Sequence, residues 1–153
     1  MKQEMLDYLE TQRVCALAVE MLDGSPHVAT VHFAHNAEPF TFMFETSREY
    51  RKSERVLAKG VTRASITVGF TEGDKARTAQ LDGELRLIDD TNSHLLDLYL
   101  EKFPEKRVKK VEPTTIFLYF TPTWWRYTDW GRPEGKTILT SDGKITHPNQ
   151  KPN

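Results

Sequence analysis

Short alternating runs, cut by clusters of turn residues, limit this chain more than any other feature. Asp23-Gly24-Ser25-Pro26, Asn36-Ala37-Glu38-Pro39 and Glu72-Gly73-Asp74-Lys75 each interrupt a strand-like stretch. Gly tolerates positive φ and Pro presets its own, so such clusters reverse a chain between extended segments. The stretches themselves have period two. Phe40, Phe42 and Phe44 share one face while Thr41, Met43 and Glu45 share the other, and Ala64, Ile66, Val68 and Phe70 repeat the pattern. Pieces of this kind build an antiparallel sheet.

The remaining elements fit around that sheet. Residues 13–22 hold a nearly continuous apolar run, Val14-Cys15-Ala16-Leu17-Ala18-Val19, expected as a buried strand. A second strand is expected over 27–35. A fifth carries Leu81, Leu85 and Leu87 on one face, with Gly83 marking a bulge or a close backbone approach. The run 115–121 reads as a sixth strand and 124–130 as a seventh. Met1, Met5, Leu6 and Leu9 recur at helical spacing. Ser47 is placed to cap a helix over 50–59 that stops at Gly60, and Thr91 or Asn92 to cap one bearing Leu95, Leu96, Tyr99 and Phe103. The expected fold is mostly β with flanking helices, a small antiparallel barrel. Residues 1–135 form the domain, and 136–153 a polar tail whose Ser141-Asp142-Gly143 offers one hairpin turn.

Composition excludes several classes. Lys plus Arg is 21 against 22 Asp plus Glu, a net charge of -1, so the chain lacks the positive excess of a protein that tracks nucleic acid. A single cysteine, Cys15, forbids an internal disulfide and fits a reducing, cytoplasmic setting. No apolar stretch approaches the ~20 residues of a membrane span. The basic loop 105–110 reads as a solubilising connection. His27, His32 and His35 invite a metal reading, but His32 and His35 face opposite sides of one strand. His27 and His35 stand roughly 26 Å apart along it. No metal is expected.

One segment has the composition of an anion site. In Glu45-Thr46-Ser47-Arg48-Glu49-Tyr50-Arg51-Lys52 a strand ends, hydroxyls follow, and two adjacent cations stand where a helix begins. Free N–H groups and the helix dipole attract a phosphate there, and Arg can grip it bidentately. Taken alone, a cationic stripe Arg48, Lys52, Arg55, Lys59 is more often the solvated face of a helix. A second unusual segment places Trp124, Trp125 and Trp130 within seven residues. Packing is the ordinary role of such aromatics, with Trp125 the best placed to touch a flat ligand.

The order of these pieces over residues 13–89 resembles the pyridoxamine 5'-phosphate oxidase-like, FMN-binding split-barrel family. The pieces are strand, turn, strand, then Thr46, the Arg51-Lys52 pair, a helix, a hairpin, and Gln80 ahead of Asp82-Gly83. The resemblance implies a split barrel holding FMN in clefts shared by a homodimer. It implies that Thr30, Val31 and His32, within residues 30–35, lie along the flavin, and that Thr46, Ser47, Arg51 and Lys52 hold the phosphate. It implies that Gln80 reaches the cofactor, and Trp125 is the tryptophan expected to touch it. The chain departs from the family's oxidases at Tyr50, where they carry Ser, and at Thr30, where they carry a basic residue. Nothing in 124–132 matches their C-terminal Arg-Leu-His-type motif, which holds the pyridoxal substrate.

The function implied is flavin-dependent redox chemistry on an unidentified small molecule, with a nicotinamide among the candidate reductants and little activity on pyridoxamine phosphate. The flavin carries the chemistry, so no catalytic acid or base is assigned. The alternative within the same fold is a binding or storage protein for flavin, haem or deazaflavin. A more remote one is a barrel that binds nucleic acid through residues 48–59.

Overall fold

The computed structural model describes residues 2–108 and 111–143, and the backbone of 145–146. The chain opens with helix α1 (Lys2–Glu10), which buries Met5, Leu6, Tyr8 and Leu9. Strands β1 (Val14–Glu20) and β2 (Pro26–His32) form a hairpin, closed where Asp23 Oδ1 accepts hydrogen bonds from the Ser25 amide and hydroxyl. Then come β3 (Ala34–Ala37), β4 (Phe40–Ser47), a 3-10 turn (Arg51–Ser53) and α2 (Glu54–Lys59). Strands β5 (Val61–Val68) and β6 (Arg77–Leu87) follow, then α3 (His94–Lys102) and α4 (Glu105–Val108). The 15-residue β7 (Thr115–Asp129) leads to β8 (Thr137–Thr140) and β9 (Ile145–Thr146).

Every pairing is antiparallel, in the order β2-β1-β5-β6-β7-β4-β3, with β8 added along β7 and β9 beyond it. The sheet curls, and its concave face holds one core: Leu17, Phe42, Phe44, Ile66, Leu81, Leu85, Leu118 and Phe120 among others. A smaller core lies on the other face of β3 and β4, where Ala34 and Met43 meet Leu95, Tyr99 and Phe103. That second core buries Met43, which the alternation of β4 assigns to an outer face, and Thr41 on the same face is also buried.

Three expectations need correction. The strand expected over 27–35 breaks at Phe33, which is fully buried and donates its N–H to the Arg13 carbonyl. β1 starts at Val14, so the chain past His32 has no partner there and turns to pair with β4. The sixth and seventh strands are one strand. Pro122 sits at a register shift opposite Gly83, so a bulge absorbs the break that the sequence suggests. Phe70 leaves the alternation of β5, which ends at Val68, and is 64% exposed.

Part of the segment expected as a polar tail joins the sheet. β8 pairs with β7 and buries Thr137 and Leu139, and the Ser141-Asp142-Gly143 turn leads on to β9. The loop expected over 105–110 contains α4, while Lys109 and Lys110 lie outside the described residues. No described helix is long and apolar enough to cross a membrane, and no cluster of metal ligands occurs among the described residues.

Candidate functional site

Between β2, the end of β4 and the helix α3 lies a cleft of about 760 Å³, within the usual range for small-molecule sites. β2 contributes Thr30, Val31 and His32, and β4 contributes Glu45, Thr46 and Ser47. Lys52 enters from the 3-10 turn, Leu96 and Leu100 from α3, Lys106 and Arg107 from α4, and Phe117 from β7. One wall is therefore apolar and the opposite end polar.

The polar end is built by local chain geometry. Ser47 Oγ accepts the Glu49 N–H at 3.2 Å, and the Ser47 carbonyl accepts the Ser53 hydroxyl at 2.8 Å. These bonds brace the turn after β4, so Ser47 is not the cap of the following helix. The helix itself is a 3-10 turn and six residues of α2, too short to bring much dipole to the site. Positive charge comes from a side chain instead.

Lys52 is that side chain. It is 8% exposed, its ammonium lies 4.4 Å from the centre of the Tyr50 ring, and burial pushes its pKa below the usual lysine value. No described carboxylate pairs with it. Beside it in the cleft, Thr46 is 9% exposed and its hydroxyl has no hydrogen-bond partner. A buried hydroxyl left unpaired costs about 1–3 kcal/mol, which a ligand oxygen would relieve. A cation without a carboxylate partner and an unpaired buried hydroxyl lining one cleft suit an oxyanion. Glu45, the acid nearest Thr46 in sequence, is engaged by Lys106 at 3.1 Å.

The structure brings Thr30, Val31, His32, Thr46, Ser47 and Lys52 together as the sequence suggests. It leaves Arg51, Gln80 and Trp125 outside the cleft. Successive residues of a 3-10 turn project about 120° apart, so Lys52 points in while Arg51 is exposed. Gln80 lies mid-sheet between Thr67 of β5 and Arg126 of β7, on the face away from the interior. Trp125, opposite Leu81, packs against the main core. His32 presents an exposed imidazole, tilted edge-on to Phe103 at 5.4 Å. Sequence reasoning missed the wall formed by Leu100, Lys106, Arg107 and Phe117. Its only sequence signal is the apolar stripe of α3, whose cleft-facing edge depends on how the helix docks.

Comparison with known families matches residues 1–129 to the family described as pyridoxamine 5'-phosphate oxidase. A comparison with curated proteins finds no match. Among solved structures, a haem-binding protein from Mycobacterium smegmatis is similar at TM-score 0.67 and 13% identity. The match covers 88% of this chain but 55% of that protein, so the chain spans little more than half its length. The haem storage protein HutZ from Vibrio cholerae matches at TM-score 0.63 and 14% identity, over 79% of this chain and 89% of its own. A Listeria innocua protein provisionally described as a pyridoxamine 5'-phosphate oxidase matches at TM-score 0.65 and 18% identity, over 82% and 96%. At these identities the likeness concerns the fold, a mostly antiparallel split barrel with flanking helices.

Proposed function

The chain belongs to the pyridoxamine 5'-phosphate oxidase family, and from that premise we propose that its cleft holds FMN and that it is a flavin-dependent oxidoreductase acting on a small molecule. The observation that carries this reading is that Lys52, which has no described carboxylate partner, and the unpartnered hydroxyl of Thr46 line the same cleft. Lys52 supplies charge to the phosphate and Thr46 a hydrogen bond. Thr30, Val31 and His32 line the path of the flavin along β2, while Leu96, Leu100 and Phe117 keep water from the opposite wall. Bound there, FMN supplies reversible redox chemistry, with a reduced nicotinamide as the proposed electron source. Gln80 and Trp125 lie too far from the cleft of their own chain to serve it. They enter the reading through a second copy of the protein, in a homodimer.

A haem-binding reading is second. It draws on the exposed imidazole of His32 in the same cleft and on the haem-binding neighbours. Titration of the apoprotein with FMN, riboflavin and haem separates the two. FMN should bind well above riboflavin, and Lys52→Gln should weaken FMN about tenfold or more while barely altering riboflavin. Equal affinity for the two flavins overturns the phosphate assignment, and haem binding without flavin binding favours the second reading.

Pyridoxamine phosphate is not the proposed substrate. Residues 124–132 lack the family's C-terminal motif, and Arg132 among them is engaged by Glu4, Asp129 and Glu134 and is not free to hold a second phosphate. Oxygen consumption by the FMN-loaded protein with pyridoxamine phosphate should stay far below about one turnover per second, the low end of ordinary enzymes. A rate at or above that contradicts this reading.

A further inference from the structure

Tyr50, which stands where the family's oxidases carry Ser, lines the cleft and is 57% exposed. Two turn bonds fix its backbone. The Tyr50 N–H donates to the Ser47 carbonyl at 3.2 Å, and the Tyr50 carbonyl accepts the Ser53 N–H at 2.9 Å. Between them the residue is extended, with φ -82° and ψ 144°, so it leads into the 3-10 turn without belonging to it. Two residues on, Lys52 turns its ammonium to the Tyr50 ring, 4.4 Å from the ring centre. A separation under about 6 Å is the geometry of cation–π attraction.

Such a contact differs from an ion pair in what it leaves over. A carboxylate at that place would hold Lys52 and also neutralise it. A ring face attracts the ammonium through its quadrupole but carries no net charge, so the lysine keeps its whole charge for a bound anion. Lys52 needs this kind of support. Its stem is flexible, no described carboxylate pairs with it, and its burial favours the neutral amine. With Arg51 turned to solvent, Lys52 alone of the adjacent pair enters the cleft. Its placement therefore decides how this turn receives an anion.

We propose that Tyr50 is a positioning residue of the phosphate site, its ring holding the Lys52 ammonium in the cleft with its charge available to the ligand. Resting on the cofactor reading above, this role adds the residue that sets the cation's place. The ring face does the holding, so the Tyr50 hydroxyl is dispensable.

The test compares Tyr50→Phe, which keeps the ring, with Tyr50→Leu, which keeps apolar cover and removes it. In titrations of the apoprotein, Tyr50→Leu should weaken FMN about threefold to tenfold, the span of a partly buried cation–π contact, and leave riboflavin unchanged. Tyr50→Phe should bind both as the parent does. The same proteins are then titrated with acid and base without ligand, following the lysine ε-carbon resonances. The signal that Lys52→Gln removes identifies Lys52. In Tyr50→Leu, Lys52 should lose its proton at a lower pH than in the parent, and in Tyr50→Phe at the parent's pH. FMN affinity, which needs the charged lysine, should accordingly fall away at a lower pH in Tyr50→Leu. Thermal unfolding checks each fold, and should Tyr50→Leu fail to fold, Tyr50→Gln takes its place. The proposal is overturned if Tyr50→Leu binds FMN as the parent does, if Tyr50→Phe loses as much as Tyr50→Leu, or if Lys52 titrates alike in Tyr50→Leu and the parent. Equal binding of FMN and riboflavin by the parent overturns the phosphate assignment instead, and the ligand-free titration still decides whether Tyr50 holds Lys52.

Discussion

His35 stands where α1, α3 and β3 meet, with its side chain 6% exposed. Phe33 and Phe42 flank the ring, Glu10 lies 3.9 Å from Nε2, and Nδ1 has no partner. Burial, reinforced by the charge of Lys102, depresses its pKa, and Glu10 only partly opposes that. The unfolded chain therefore takes up the proton at a higher pH than the folded one. Stability should fall as pH drops through the ordinary histidine value of about 6.5, and level off below the folded pKa. Urea unfolding midpoints between about pH 8 and pH 5 measure this. Loss of the slope in His35→Gln is expected, and an unchanged slope assigns it to other groups. At this scale the sequence was informative about residue types and weak about their surroundings. It singled out Lys52 as a cation near an anion site, but its burial and its lack of a carboxylate partner emerge only from the fold.

Gly83 shows what an element demands of one residue. A Cβ built there would lie 2.1 Å from the Thr121 carbonyl oxygen, which is backbone and cannot swing aside. Gly83→Ala must push β6 and β7 apart at the bulge, and should cost about 2–3 kcal/mol. Chemical denaturation reads this directly, and a change below about 0.5 kcal/mol would show that the bulge yields easily. The strands were legible where one face alone is buried, as in β5, where Ala64, Ile66 and Val68 alternate inward. They were illegible where tertiary contacts override period two. Phe33 breaks its strand because its backbone bonds to Arg13, not because of any turn residue. Pro122 reads as a stop, yet the bulge lets β7 run through it. The polar composition around Leu139 hides a strand that needs β7 as its template.

For the molecule as a whole, the proposed cofactor site calls for a second copy. Gln80, implied by family resemblance to reach the cofactor, and Trp125, the tryptophan best placed by its chemistry to touch it, lie on other parts of the sheet. The edge strand β2, which lines the cleft, also leaves Val28 62% exposed. A second copy would cover such surface. Light scattering at micromolar concentration should therefore give about twice the chain mass of 17.7 kDa. A monomer that binds FMN with full affinity contradicts the shared cleft. The core-forming strands of this architecture are foreseeable from alternation and turns, whereas the expectation of a second copy rests on resemblance alone.

The segment between β6 and β7 leaves and re-enters the sheet at one place. Leu87 faces Leu118 in register, and the Ile88 amide donates to the Phe117 carbonyl at 2.9 Å. Everything between them, α3 and α4 included, hangs from a closed stem as a cassette. Two ion pairs, Arg13 with Glu105 and Lys106 with Glu45, tether its far end, and the rim it forms supplies Leu96, Leu100, Lys106 and Arg107 to the cleft. Lengthening or exchanging its outer part around α4 should change the rim while the ladder and the packing of Leu95, Tyr99 and Phe103 on Met43 stay in place. Diversification of what the cleft admits thus needs no renegotiation of the scaffold itself.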